Sequence, residues 1–115
     1  MNYIDGFVAA VPTANKQVYQ RHCQDMGALF KEHGALAVVD CWGDDVPEGQ
    51  LTSFPMAVKR EPDETVVFGW IVWSSREVRD AAWTSVMADP RMKDQAMPFD
   101  GKRMIYGGFQ TIAQS

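Results

Sequence analysis

Cysteine is scarce in this 115-residue chain: Cys23 and Cys41 are the only two, and they form no CxxC pair. That spacing excludes the redox and zinc motifs that depend on paired thiols. Long apolar runs are also missing. The longest, Val66 to Trp73, is interrupted by Gly69 and is strand-sized, far short of the ~20 residues of a membrane helix. The opening residues Met1-Asn2-Tyr3-Ile4-Asp5 hold no basic segment leading into an apolar one. No secretory signal is therefore expected, and both thiols are expected to stay reduced in the cytoplasm.

Positive charge is the third scarcity. Eleven Lys and Arg face 15 Asp and Glu, for a net charge of −4. Nucleic-acid surfaces take their affinity from clustered Lys and Arg that displace counterions, so neither nucleic acid nor membrane is an expected partner. Arg76/Arg79, Arg91/Lys93 and Lys102/Arg103 each stand beside acidic residues and read as solvated faces. No Ser or Cys sits in a nucleophile motif, and Gly107-Gly108 lies inside a strand pattern rather than a phosphate loop. No cofactor is expected.

What the chain does have is a hydrophobic fraction of 46% and a charged fraction of 23%, the balance of one ordinary domain spanning 1–115. Tyr3 to Val11 alternates as a strand ended by Pro12. Thr13 or Asn15 can cap a helix running to about His33, with Gly34 as its left-handed stop. Along that helix Val18, Tyr19, Met26, Leu29 and Phe30 share one sector and polar residues the other. Ala35 to Trp42 reads as a second strand, with Asp40 facing the same way as Val38 and Trp42. An acidic turn follows at 43–49, and Ser53 to Lys59 is expected to be a short extension or an edge strand, since Pro55 would be poorly tolerated in a central one.

Thr65 to Ser74 is the strongest strand signal, β-branched or aromatic on both faces. Ser75 caps a second helix to Ala88, stopped at Asp89-Pro90. A short helical or irregular piece is expected over Arg91 to Met97, and a turn over Pro98-Phe99-Asp100-Gly101. Met104 to Ile112 is the last strand, where Gly107-Gly108 marks a bulge or a close backbone approach. The order β, α, β, β, α, β predicts an α+β fold of the ferredoxin-like type: a four-stranded antiparallel sheet with two helices on one face. The other face then has no helix. Its strands are apolar, so a second copy is the expected cover, and a homodimer is predicted.

His22 and His33 lie eleven residues apart on one helix, roughly 16 Å at 1.5 Å per residue, so they cannot share a metal. No metal site is expected. His22 is weighed as an acid–base group against a hydrogen-bonded core histidine. Asp40, a carboxylate between Val38 and Trp42, needs a partner or a raised pKa; it is either a general base or half of an ion pair, for which Arg79 is the nominated partner. Arg79 falls among Val78, Ala82 and Val86, so it could equally clamp an anionic ligand. Trp42, Trp70 and Phe99 supply walls for a small apolar pocket, although aromatic residues of this kind more often form core and interface.

Several blocks carry a family resemblance: Tyr3-Ile4-Asp5-Gly6-Phe7, Cys41-Trp42-Gly43-Asp44-Asp45-Val46-Pro47, Thr52-Ser53-Phe54-Pro55-Met56-Ala57-Val58-Lys59, and Met97-Pro98-Phe99-Asp100-Gly101-Lys102-Arg103-Met104-Ile105-Tyr106-Gly107-Gly108-Phe109. They resemble the YbaA-like family of bacterial proteins of unknown function, over essentially the whole chain. Asp40 stands where that pattern would have an acidic residue, often Glu. The resemblance implies membership of the dimeric α/β-barrel superfamily, in which two ferredoxin-like protomers pack sheet to sheet. A fold so widely shared assigns no function. Two functions are carried forward. The first is a small-molecule-binding domain, an enzyme without cofactor being one form of it, with Asp40 or His22 as base, Arg79 as clamp and Trp42, Trp70 and Phe99 as walls. The second is a non-catalytic homodimeric interaction module using the 43–50 loop and the 97–103 turn.

Overall fold

The computed structural model describes residues 1–93 and 96–115. Four strands form one antiparallel sheet: β1 (Tyr3–Pro12), β2 (Ala37–Trp42), β3 (Glu64–Trp73) and β4 (Ile105–Gln110). Their order across the sheet is β2-β3-β1-β4. The two strands with apolar residues on both faces, β1 and β3, are the central pair, and β2 and β4 are the edges. Among the described residues there are four helices: α1 (Lys16–Glu32), α2 (Phe54–Ala57), α3 (Arg76–Ala88) and α4 (Pro90–Lys93). The expected short piece over Arg91 to Met97 is helical up to Lys93; it includes residues 94 and 95, which lie outside the described residues.

The pleat sorts side chains onto two faces. On the first, Met26, Leu29 and Phe30 of α1 and Ala82 and Val86 of α3 close over Ile71 and Trp73 of β3. Farther along the same face Tyr19 packs with Ala9, Val11 and Val67. Gly69 stands in β3 because a Cβ there would meet the Phe7 ring at 2.5 Å and the Val39 carbonyl at 2.8 Å. On the second face Val8, Ala10 and Val66 are covered only by Val58, just beyond α2. The rest of that face is open: Phe68, Ile105 and Phe109 are exposed, and Trp70 and Val72 are only half-buried. From Ile4 to Ala10, Val66 to Val72, Ala37 to Cys41 and Ile105 to Phe109, the residues pointing this way include no charged one.

Residues 53–59 depart from the expected extension or edge strand. The Ser53 hydroxyl accepts the Met56 amide at 3.1 Å and Pro55 sits in the first turn, so the segment starts a helix, where a proline lacking its N–H is tolerated. Ser75 caps α3 in the same way through the Val78 amide. Asn15 stands at the N-cap of α1 but makes no capping bond; its side-chain amide donates instead to the Pro98 carbonyl at 3.2 Å. Gly34 has the left-handed φ of 109° expected after α1. Gly107-Gly108 is a close approach, with the β1–β4 register running through it unbroken. A Cβ on Gly108 would lie 2.5 Å from the Tyr3 hydroxyl and 2.9 Å from an Arg79 nitrogen.

Two buried carboxylates lock the frame. Glu64 takes both arms of Arg103, at 2.7 and 2.6 Å, and so fastens the 101–103 turn to the start of β3. Asp5 receives the indole N–H of Trp73 and of Trp83, each at 2.9 Å, and Arg79 through its Nε and Nη2. Arg79 and Arg103 are thus tied to buried acids rather than forming the solvated faces expected of them. No helix of the described residues is long and apolar enough to cross a membrane.

Candidate functional site

The main concavity is a groove of about 790 Å³ between α1 and the edge strand β2, within the size range of small-molecule sites. Its helical wall is the stripe Lys16, Gln20, Cys23, Gly27 and Lys31 with their neighbours, one residue per turn. Its opposite wall is β2 itself. Gly27 leaves room there, because a Cβ on it would already touch Val38 at 3.8 Å. The Gly43 amide bonds to the Val66 carbonyl at 2.8 Å. Alternation along the antiparallel ladder therefore turns the backbone groups of Val38, Asp40 and Trp42 to the free edge, while their side chains face α1.

Asp40 lies at the middle of this wall, open to solvent on one side. The neighbouring α1 wall removes enough water to raise its pKa, against the opposing effects of a hydrogen bond with Cys23 and the proximity of His22. The Cys23 thiol, buried beside that negative charge, is pushed up to about 12. Tyr19 lies near Cys23, and burial above all raises its pKa. A chain of three side chains, Tyr19, Cys23 and Asp40, thus runs from the core into the groove. Its inner end is aromatic: Tyr19 lies 6.4 Å from the His22 ring, 6.2 Å from Trp42 and 5.7 Å from Phe99. Lys16 holds its ammonium 5.5 Å from the centre of the Trp42 ring.

Of the candidates read from the sequence, Asp40 and Trp42 line the groove, while His22 and Phe99 pack against Tyr19 beside it and are not part of its lining. Arg79 and Trp70 are elsewhere. Arg79 lies beneath α3, bonded to Asp5 at 2.7 Å and stacked on Tyr3, with 5.4 Å between guanidinium and ring centre. The nominated Asp40–Arg79 pair therefore does not form, because the two stand under different helices. Trp70 points to the second face, which carries only the short α2 and not the two helices of the first, 5.7 Å from Phe68, so it lines no pocket with Asp40. Sequence reasoning passed over Lys16, Cys23 and Asp5. Helical spacing of Lys16, Gln20 and Cys23 held the signal for the first two, and the oddity of an acid on a central strand held it for Asp5.

The Asp5 site is chemically closed. Burial alone would raise its pKa, but the donors from Arg79, Trp83 and Trp73 together bring it below the usual carboxylate range. Among the described residues no three His, Cys, Asp or Glu are grouped to hold a metal ion. A smaller hollow of about 170 Å³ is lined by Asp44, Arg60 and Glu64; the groove around Asp40 is the larger of the two.

Comparison with known proteins gives relatives whose sequences match over nearly the whole chain. The uncharacterised protein YbaA of Escherichia coli (strain K12) is 57% identical over 114 residues, covering 97% of each chain. The uncharacterised protein YbaA of Shigella flexneri matches to the same extent. Residues 2–101 match the family described as protein of unknown function DUF1428, and the chain belongs to that family.

Proposed function

We propose that this protein is a ferredoxin-like protomer of a sheet-to-sheet homodimer that binds a small molecule in the α1–β2 groove, with Asp40 as the proton acceptor. The observation that carries the reading is the partly desolvated Asp40 carboxylate in a groove of about 790 Å³. A carboxylate whose pKa is raised, with few competing donors, is suited to take a proton or a hydrogen bond from a ligand. Trp42 and Tyr19 supply aromatic surface in the groove, Phe99 backs Tyr19 from outside it, and His22 stands close enough to influence Asp40. Arg79 has no part in this reading, since Asp5 holds it.

The test is a thermal-shift screen of a metabolite library, because a ligand that binds only the folded state raises its melting temperature by mass action. A saturable hit that Asp40→Asn weakens is expected. Saturable hits unaffected by Asp40→Asn, or no hit at all, would remove the groove from consideration.

The dimer draws its support from the uncharged face centred on Phe68 and Trp70. A surface without charge is complemented best by another such surface, and a second copy supplies one. Trp70→Glu is expected to halve the mass seen by light scattering, whereas a wild-type monomer would refute the assembly. This face also favours the second reading, a non-catalytic interaction module. That reading gains ground if the dimer is stable and the library yields no ligand.

A further inference from the structure

We infer that the groove selects a small aromatic carboxylate bearing a hydroxyl at the far end of its ring; this rests on reading the groove as a ligand site. Its lining includes side chains of opposite charge. At one end is the Lys16 ammonium, poised over Trp42. Among the described residues every salt bridge is made by an arginine or by His33, so Lys16 is uncommitted to any acid there. The start of α1 adds to that positive end: its first turn holds no acidic residue, and Asn15 is engaged with Pro98 rather than with the helix.

At the other end is Asp40. It lies two residues before Trp42 on the same face of β2, about 7 Å away by strand geometry, and accepts a hydrogen bond from Cys23. A ligand bridging the two must offer an anion to Lys16 and a proton donor to Asp40. The reverse orientation would set the ligand's carboxylate against Asp40. Beside them stands the Trp42 indole, flat and apolar, with Val38 beyond Asp40; the indole favours a ring over a flexible chain. A para-disubstituted benzene is the compact scaffold that fits. A dicarboxylate is disfavoured because its second carboxylate would face Asp40.

Calorimetric titration of the whole protein with 4-hydroxybenzoate and 4-hydroxyphenylacetate tests this. Benzoate lacks the hydroxyl, methyl 4-hydroxybenzoate lacks the anion, and 6-hydroxyhexanoate keeps both but lacks the ring. Each deletion is expected to weaken binding about tenfold, the usual effect of losing one hydrogen bond to a charged group. Lys16→Gln is expected to erase the preference for acid over ester, and Asp40→Asn the preference for the hydroxyl. Both residues are exposed, and unchanged melting temperatures would show that the variants fold. An ester that binds as well as the acid, or a hydroxyhexanoate that equals the aromatic acids, overturns the inference. Failure of all five probes while the library yields another Asp40-dependent ligand overturns the ligand class and leaves the groove. Failure of both removes the groove as well.

Discussion

Two aspartates face the same side of the same sheet and have opposite characters. Asp5, on central strand β1, lies under α3 and is surrounded by Trp73, Trp83 and Arg79. Asp40, on edge strand β2, lies beside α1, with Cys23 as its hydrogen-bond partner and His22 near it. Both are desolvated. The first is overcompensated by donors and its pKa falls; the second is not, and its pKa rises. Desolvation alone therefore does not mark a functional acid. The number of donors aimed at a carboxylate decides the direction of its shift, and here that number follows strand position, because a central strand has packed neighbours on every side and an edge strand has an open flank.

The sharpest break of this comparison is Asp5→Ala. It leaves the Arg79 guanidinium and two indole N–H groups without their common acceptor, and removing one partner of a buried pair costs about 3–5 kcal/mol. Urea unfolding should register that loss, and a variant as stable as the wild type would mean that Asp5 is no staple. Next is Gly108→Ala, which drives a methyl group against Tyr3 and Arg79. Overpacking of this kind costs about 1–3 kcal/mol, readable by the same method. At the groove, Asp40→Asn removes a charge that the fold does not compensate. Its melting temperature at neutral pH should equal or exceed that of the wild type, and a marked drop would show that Asp40 has a structural partner.

The pH dependence separates the two acids by sign. Asp5 has a lowered folded pKa, so its contribution is present above the unfolded value near 3.9 and is lost as pH falls through the folded one. Asp40 has a raised folded pKa, so its contribution is present below the unfolded value and lost as pH rises through the folded one. Thermal melts from pH 2 to 7 should therefore flatten at the acid end for Asp5→Asn. They should lose a smaller, opposite slope above pH 4 for Asp40→Asn.

The sequence carried much of the fold, because period is local information. The two-sided apolar pattern of 65–74 announced a central strand, and the amphipathic 16–32 segment with Gly34 after it announced α1. Residues 53–59 were misread because Pro55 weakens a strand and starts a helix equally well, and only the Ser53 cap decides between them. Half of the candidate site was legible. Asp40 and Trp42 share a face by strand alternation alone, but nothing local distinguishes the helix that covers them from the helix that covers Asp5. Arg79 was accordingly assigned to the wrong aspartate: which of two helices packs over which strand depends on strand order, a property of pairings far apart in the chain.

The free edge of β2 carries a last consequence, for aggregation. The outward backbone groups of Val38, Asp40 and Trp42 offer a template on which another β-strand can add. If two copies met edge to edge about a twofold axis centred there, each Asp40 would stand opposite the other at about 5 Å, both partly stripped of water. Like charges so placed repel, and the chain is steered away from growing sideways into a continuous sheet. Whatever else Asp40 does, its charge helps keep a short exposed edge from becoming the seed of a fibril.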